Sequence, residues 1–350
     1  MIAHVMFAIA LFAAELFVSP GGNVPSPQAA VQEVRNARKT GRIGRSERVV
    51  IRLAAGVYRV DAPIVLTPED SHISFIGSRD GGRSVISGGR PLPLFDVGAD
   101  GIWRVRVPKG VAFEQLWVDG SWRDRARTPN AGFFYMDHPA EERAARSTFF
   151  AEPDDLDHLL RVPSSSLTNA IVQSWHSWFA ARRRIRSIDI KTGCIVTEPQ
   201  NRWNYFYWRP YRPRYRLENY IEALDAPGEW FLDGKSGELL YLPLPGEDRR
   251  TTRAVVPTTD MLVDIRGDRL AGRLVEGVTF EDVDFENCGY FLPAGGQSDS
   301  QAAENEPAAI RVNGGEGIGF RRIGVAHVSS YGVWFERGCQ NCSVENSIFS

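Results

Sequence analysis

The sequence of 350 residues has few cysteines, no long apolar run and almost no net charge. Four cysteines are too few for a disulfide scaffold in a chain of this length. The 41 basic residues are balanced by 43 acidic ones, which argues against a nucleic-acid partner because such binding needs a dominantly basic surface. An apolar run at residues 5–14 is too short to cross a membrane as a helix, so no membrane span is predicted.

The sequence also lacks the motifs GxSxG and HExxH, a P-loop and a dinucleotide-binding fingerprint. Cys339 and Cys342 have CxxC spacing, but no second pair and no nearby histidine completes a zinc site. A disulfide within this loop or simple packing is expected for these thiols. The sequence therefore predicts neither a metal site nor a cofactor.

Glycine (33 residues) and proline (21 residues) divide the chain into short segments. Between residues 49 and 87, short apolar segments follow one another with no helix between them, which is typical of coils of parallel strands. Ser26 and Pro27 are favourable residues for the start of a helix, predicted over residues 27–39. One face of this helix is apolar, and we expect it to cap the first coils.

The pattern changes to hairpins between residues 96 and 260. Residues 229–233 and 238–242 flank a Gly-Lys-Ser-Gly turn, which is a strong hairpin signal. We therefore predict a mainly antiparallel β insert at 96–260, between first coils at 15–95 and resumed coils at 261–350.

A repeat marks the resumed coils. The segments VTFEDVDF, IGFRRIGV and CSVENSIF begin at residues 278, 318 and 342. The last two begin 24 residues apart, which suits one coil of a β-solenoid, and the longer first interval is assigned to a polar loop at residues 294–307.

The alignment of these repeats makes two structural predictions. Phe280, Phe320 and Val344 should form one interior column. A second column, formed by residues that stack at one turn, should contain Asp282, Arg322 and Asn346.

The two ends of the chain carry further expectations. Residues 1–14 are predicted to be a signal peptide, which implies export to the periplasm, the extracellular space or the cell surface. The alternative is that this run leads into the first strand. Because the last repeat ends at Ser350 directly after a strand and solenoids need a terminal cap, we expect the natural protein to continue.

Several segments together resemble a known family. These are FVSPGGN at 17–23, GVYR at 56–59, PIVLT at 63–67, LWVDG at 116–120, LDAPGEWFLD at 224–233 and LYLP at 240–243. With them the chain resembles bacterial right-handed parallel β-helix proteins of the pectate-lyase-like superfamily and, among these, glycoside hydrolase family 141. The resemblance implies an all-β right-handed parallel β-helix that acts as a fucosidase or xylanase on plant cell-wall glycans, with catalytic carboxylates on later coils.

Two other functions remain open. A polysaccharide lyase would use a lysine or arginine base, often with calcium, for which Asp282 and Asp284 are a weak candidate. A non-catalytic glycan-binding or adhesion β-helix would show a flat aromatic strip without an acid pair. In each case the expected partner is a polysaccharide or oligosaccharide, and the expected state is a monomer.

Hydrolysis of a glycosidic bond needs two carboxylates, and Glu336 and Glu286 are the candidates within this sequence. Glu286 should lie above Ala326 and beside the stacked pair of Asn287 and His327. Glu336 follows His327, Tyr331 and Trp334 along the chain, so an acid, an imidazole and aromatics are expected on the same side of neighbouring coils. The alternative is that these polar side chains form a hydrogen-bonded ladder without a catalytic role.

Substrate binding is assigned to aromatic and imidazole side chains, because aromatic faces stack on sugars. Around residues 203–215 they alternate with arginines, which bind carboxylates in pairs and would suit an acidic pectic glycan. The candidates are Trp175, His176, Trp203, Tyr205, Trp208, His327, Tyr331 and Trp334. We predict a groove where the insert meets the resumed coils; alternatively, these aromatics pack against one another and exclude ligand. The arginines at 182–186 are interpreted as the exposed face of a strand.

Overall fold

The structure is a computed structural model that describes residues 14–107, 113–207 and 212–350. The chain divides into two compact units. Unit 1 contains Met1–Gly89, Thr259–Cys288 and Ala308–Ser350, and unit 2 contains Arg90–Thr258 and Gly289–Pro307. Residues 1–13 of the predicted signal peptide lie outside the described residues, and Ala14 is the first residue of a strand.

Unit 1 is built from three sheets of parallel strands, here called sheets 1, 2 and 3. Sheet 1 contains Ala14–Val18, Val49–Leu53, Ile73–Ile76, Thr279–Glu281, Gly319–Arg321 and Ser343–Glu345. Sheet 2 contains Gly56–Arg59, Ser84–Ser87, Val283–Cys288, Gly324–Val328 and Ile348–Phe349. Sheet 3 contains Ile64–Leu66, Val263–Arg266, Ala308–Asn313 and Tyr331–Phe335. The short strands Val275–Glu276 and Gly315–Glu316 form a further parallel pair.

Successive passes of the chain visit the three sheets in turn, so each strand pairs with its equivalent one coil later. The strands between residues 49 and 87 pair in parallel, as predicted. One face of each strand points into the interior of the coils. Because equivalent strands pair in register, the apolar residues on that face form continuous rows along the stack of coils.

The predicted interior column lies in sheet 1. Phe280 pairs in register with Phe320, which pairs with Val344, so the 40-residue and 24-residue spacings are confirmed. Phe75 extends the column in the other direction, and its ring stacks on that of Phe280 with 4.5 Å between centroids. Val344 is 38% exposed, since its strand is at the edge of the sheet.

In the three later coils, the turn between sheets 1 and 2 contains one non-glycine residue with positive φ. Asp282, Arg322 and Asn346 have φ values of 58°, 53° and 50°, which confirms that the three residues stack. The Arg322 guanidinium binds the Asp282 carboxylate with two hydrogen bonds of 2.9 and 2.8 Å. Asparagine and aspartate tolerate this backbone conformation better than most residues, which accounts for two of the three side chains.

A helix over Pro27–Lys39 has the predicted bounds. The Ser26 hydroxyl accepts a hydrogen bond from the Ala29 N–H, and Pro27 occupies the first turn, where no N–H is needed. Ala30, Val31 and Val34 belong to the core of unit 1. One turn of 3₁₀ helix, Pro68–Asp70, follows the first strand of sheet 3.

Unit 2 contains a closed antiparallel barrel of six strands, which the sequence did not predict. In order around the barrel they are Arg214–Glu218, Phe134–Pro139, Thr148–Ala151, Cys194–Glu198, Ala180–Asp189 and Ile171–Trp175. Pairing of Ile171–Trp175 with Arg214–Glu218 closes the ring. Closure leaves these strands without a free edge, and a core that includes Phe149 and Tyr215 fills the interior.

Two smaller antiparallel sheets complete unit 2. One contains Gly89–Pro91, Leu116–Val118, Ser121–Arg123 and Ala254–Pro257. The other contains Asp96–Val97, Trp103–Arg106, Trp230–Asp233 and Glu238–Tyr241, of which the last two form the predicted hairpin. Short 3₁₀ helices lie at Pro153–Arg161, Ser166–Asn169 and Ile221–Ala223, and the strand Arg127–Thr128 pairs with Arg214–Glu218.

The segment Gly289–Pro307 belongs to unit 2, although the sequence assigned it to the resumed coils. The physical reason is a strand pairing: Gln297–Ser298 adds to the barrel strand Ala180–Asp189, so this segment finds its hydrogen-bond partners in unit 2. The polar loop that lengthens one coil is thus an extension of the antiparallel unit.

Candidate functional site

Unit 1 carries a groove of about 490 Å³ at the end of sheet 3. Its lining combines one acid, one amide, two aromatics and two arginines: Arg269, Asn313, Trp334, Phe335, Glu336 and Arg337. Two of the residues predicted from sequence, Trp334 and Glu336, are therefore brought together here.

The parallel pairing of sheet 3 positions Glu336. Its backbone N–H donates to the carbonyl of Val312 at 2.8 Å, which continues the ladder one residue past the strand Tyr331–Phe335. The Asn313 side-chain N–H₂ donates to Glu336 Oε2 at 2.5 Å. This bond holds one oxygen of the Glu336 carboxylate in place.

A glycine allows Arg269 to reach the same groove. Gly338 has a φ of 72°, and a Cβ there would lie 3.1 Å from Cδ of Arg269. A side chain at position 338 would therefore crowd the aliphatic part of the Arg269 side chain.

An ion pair with a buried carboxylate lies beside Trp334 on sheet 3. Asp264, Arg311 and Trp334 are paired in register on three successive strands. The Asp264 side chain is fully buried, and the Arg311 guanidinium binds both of its oxygens at 3.1 and 3.0 Å. Hydrogen bonding to Asp264 raises the pKa of Arg311 against the effect of partial burial, and the charge of Glu336 raises it further.

Two predicted residues lie on a different sheet from Glu336. Glu286 pairs with Ala326 in sheet 2, as the alignment predicted, and His327 follows in the same sheet. Neither lines the groove, because Ser329 and Ser330 separate sheet 2 from the strand that leads to Glu336. The expectation that these side chains and the aromatics share one side of the coils is therefore corrected. Tyr331 begins the sheet 3 strand, with its ring centroid 5.9 Å from that of Trp334.

Unit 2 carries a second cavity, of about 400 Å³, at one end of the barrel. Its lining is Tyr135, Trp175, His176, Ser177, Tyr205, Arg212, Pro213 and Arg214. Trp175 is the last residue of one barrel strand and Arg214 the first of its neighbour, so the cavity lies where these strands end. Three further predicted residues, Trp175, His176 and Tyr205, are thus brought together.

The imidazole of His176 is an uncharged wall of this cavity. It stacks on Phe179 with 4.3 Å between ring centroids, and Nε2 lies 3.4 Å from the Ser174 hydroxyl. Burial lowers the pKa of His176 to about 4, so the ring is neutral at pH 7. The Tyr205 hydroxyl bonds to that of Thr197 at 2.7 Å, and burial raises the pKa of Tyr205 to about 12.

Trp203 does not line either cavity. Its indole N–H donates to the carbonyl of Ser300 at 2.9 Å, so Trp203 packs on the segment Gly289–Pro307 of unit 2. Trp208 lies outside the described residues. The predicted groove between insert and resumed coils stays a prediction.

The sequence also missed a buried ionic cluster in unit 2. Glu114 accepts hydrogen bonds from Arg125 at 2.8 Å and from Arg182 at 3.2 Å, and Arg182 also reaches Glu218 at 3.2 Å. Arg183 is 6% exposed, so the segment 182–186 is not simply an exposed face. Two acids balance two arginines here, and removal of one partner would leave a buried charge uncompensated.

Two carboxylates lie close together on the later segment of unit 2. The Gln297 side-chain N–H₂ donates to Asp299 Oδ2 at 3.1 Å and to Glu306 Oε1, and Asn305 donates to Asp299 Oδ1 at 3.0 Å. Burial raises the pKa of Glu306 to about 7, and the nearby charge of Asp299 contributes in the same direction.

This pKa makes the stability of the protein depend on pH. The folded pKa of Glu306 is above its ordinary value of 4.5, so its contribution is complete below about pH 4.5 and is lost as the pH rises through 7. Glu306→Gln supplies an amide that can donate to Asp299 at every pH. We expect the variant to lose part of the decline in unfolding free energy between about pH 5 and 8, measured by urea denaturation.

A residual slope is expected in this variant, since burial also raises the pKa of Glu229 to about 7. The matched control is Glu142→Gln, which changes an exposed glutamate of the same unit and should leave the pH profile unchanged. A Glu306→Gln profile that matches the parent protein would show that Glu306 does not titrate in this range.

All four cysteines are free thiols, so the CxxC loop holds no disulfide. Cys339 and Cys342 pack against the core of unit 1. Among the described residues no group of three or more histidine, cysteine, aspartate or glutamate side chains is placed to bind a metal ion. The described helices include none that is long and apolar enough to cross a membrane.

Comparison with known proteins identifies the fold. No family model matches the sequence, and no curated protein matches it. A solved structure named glycoside hydrolase superposes with a TM-score of 0.78 at 21% sequence identity, over 96% of this chain and 65% of that one. This chain has the same fold as the glycoside hydrolase structure. It spans 65% of the length of the glycoside hydrolase chain.

Two other solved structures show weaker similarity. The complex of XylC with xylose has a TM-score of 0.40 at 12% identity, over 89% of this chain and 40% of that one. The Gp54 tailspike of Acinetobacter baumannii bacteriophage AP22, in complex with a capsular saccharide, has a TM-score of 0.19 at 9% identity, over 90% of this chain and 46% of that one.

Proposed function

We propose that this protein is an exported, monomeric, carbohydrate-active right-handed parallel β-helix protein, and that it hydrolyses glycosidic bonds in pectic or xylan-type glycans of plant cell walls. The observation that carries the proposal is the groove of sheet 3, in which Glu336 lies beside Trp334. The fold shared with a glycoside hydrolase supports the same class of activity, as does the resemblance to family 141.

The groove supplies some of the components that a sugar-cleaving site needs. Glu336 can exchange a proton with a glycosidic oxygen or with water, and the indole of Trp334 offers an apolar face for a sugar ring. Arg269 and Arg337 add positive charge, which suits a substrate that carries carboxylates.

Hydrolysis requires a second carboxylate about 5 to 9.5 Å from the first. The described lining of the groove contains one acid, and Glu286 lies on another sheet. We propose that a different coil of the β-helix supplies the second carboxylate.

A polysaccharide lyase is the second candidate, favoured by the two arginines that line the groove with Glu336. Elimination removes a proton next to a uronate carboxylate, and it needs a base and a cation to stabilise the resulting charge. Arg269 and Arg337 lie where they could serve these purposes.

One experiment distinguishes these functions. The full-length protein is incubated with polygalacturonate and with arabinoxylan, and the products are analysed by mass spectrometry. Hydrolysis adds one water per cleaved bond, whereas elimination yields an unsaturated product without added water. Cleavage with added water supports the hydrolase, elimination supports the lyase, and binding without cleavage contradicts both.

A further inference from the structure

We propose that the cavity at the end of the unit 2 barrel binds the carboxylate of a uronic acid residue in an acidic glycan, with Arg214 as the residue that recognises the charge. This inference rests on the proposed carbohydrate-related function for the class of ligand. It concerns a separate cavity, however, and the binding it predicts does not require turnover.

Strand pairing places three side chains in one row. Arg214 is paired with Tyr135 on one neighbouring strand and with Trp175 on the other. Residues paired across antiparallel strands project from the same face, and Tyr215, the next residue along the strand, is buried in the barrel core. The row of Tyr135, Arg214 and Trp175 therefore faces away from the core and towards the cavity that all three line.

An aromatic platform positions the Arg214 guanidinium. Its Cζ lies 4.6 Å from the centroid of Phe133, and the Phe133 ring contacts Trp175 at 4.8 Å in a T-shaped arrangement. Arg216 lies 4.4 Å from the same ring and donates to the carbonyl of Gly132 at 3.0 Å. Stacking holds the guanidinium plane in place but neutralises none of its charge.

Arg214 differs in this respect from the other arginine of the cavity. Arg212 binds the Glu152 carboxylate at 2.7 Å and the carbonyl of Met136 at 3.1 Å. No carboxylate lies within ion-pair distance of Arg214 among the described residues. The exposed Arg214 thus has its N–H donors available for an anion from outside.

The remaining walls suit a sugar ring. No acidic residue lines the cavity, and His176 is neutral, so the charge of the described lining comes from arginine alone. Its volume of about 400 Å³ is within the range of roughly 300–1,000 Å³ for small-molecule sites. Tyr135 and Trp175 can cover the apolar face of a pyranose, while the guanidinium fork binds the two oxygens of a C6 carboxylate.

The test compares trigalacturonate with its methyl ester, which keeps the size and hydroxyl groups of the ligand but removes its charge. Isothermal titration calorimetry with the full chain should show that the acid binds at least about tenfold more tightly than the ester, by the usual strength of a hydrogen bond to a charged group. The difference should shrink as salt is added, because the attraction is partly screened.

Three variants assign the effect to this cavity. Arg214→Gln should remove the preference for the acid without altering the melting temperature, and Arg214→Lys, which keeps the charge but loses the fork, should keep part of it. The matched control Arg249→Gln removes an exposed arginine of unit 2 that does not line the cavity, and should retain the full preference.

Equal binding of acid and ester would overturn the proposal, as would an unchanged preference in Arg214→Gln or an equal loss in Arg249→Gln. Loss of the preference in Arg269→Gln instead would assign the acid to the groove of unit 1. Because these outcomes are read from binding, they stay distinguishable from a failure of Glu336 to support turnover.

Discussion

Replacement of Phe280 by alanine is expected to lower the free energy of unfolding by about 3–5 kcal/mol. The Phe280 side chain is fully buried, and its ring lies between those of Phe75 at 4.5 Å and Phe320 at 5.6 Å. The variant loses the burial of an aromatic side chain and also leaves a cavity that the stacked coils can fill only partly. Urea denaturation followed by circular dichroism measures the loss.

The control for this prediction is Phe17→Ala in the same sheet. Phe17 is 68% exposed, so the same chemical change should cost less than about 1 kcal/mol. If Phe280→Ala were as stable as Phe17→Ala, the interior column would contribute little to the cohesion of the coils.

Glu336→Gln is expected to reduce kcat for glycan hydrolysis by about 10²–10⁴-fold, which is the usual contribution of a general acid or base. The amide preserves the size of the side chain and can still accept the hydrogen bond from Asn313, so the fold and the affinity for substrate should change little. The amide cannot act as a general acid or base, so the variant loses proton transfer but keeps the fold and substrate binding. Initial rates on polygalacturonate or xylan oligosaccharides, measured with the full-length protein, provide the test.

Glu345→Gln is the matched control, since Glu345 is exposed and belongs to a sheet 1 strand rather than to the groove. It should keep the parent rate. Undiminished turnover in Glu336→Gln would remove Glu336 from the mechanism and leave the catalytic pair on other coils.

Local sequence patterns determined how the coils stack. The repeat at residues 278, 318 and 342 was sufficient to place Phe280 beside Phe320, because each coil must continue the apolar row of its neighbour to bury it. The same repeat placed Asp282, Arg322 and Asn346 at one turn, where each residue adopts positive φ. The helix at Pro27–Lys39 was equally evident, since its cap and apolar face are local features.

The candidate sites could be predicted only in part. Aromatic density indicated Trp175 and Tyr205, and the chain order of imidazole, aromatics and acid indicated Glu336, but neither pattern shows which side chains share a cavity. Glu286 illustrates the difficulty: its register was predicted correctly, yet its sheet is not that of Glu336. No feature of the sequence distinguishes Arg214 from the arginines around it. Its lack of an acidic partner depends on which residues the neighbouring strands place beside it.

By itself, then, the sequence determined a β-rich chain whose coils repeat with a fixed register. The register between successive coils depends on the apolar pattern within each coil, which is a local feature of the sequence. Only the tertiary structure decided that the antiparallel unit closes into a barrel and that Gln297–Ser298 pairs with Ala180–Asp189. Those pairings join segments far apart in the chain, and their backbone hydrogen bonds are the same for any side chain, so no local pattern specifies them. The cavity that contains Arg214 exists because of this closure.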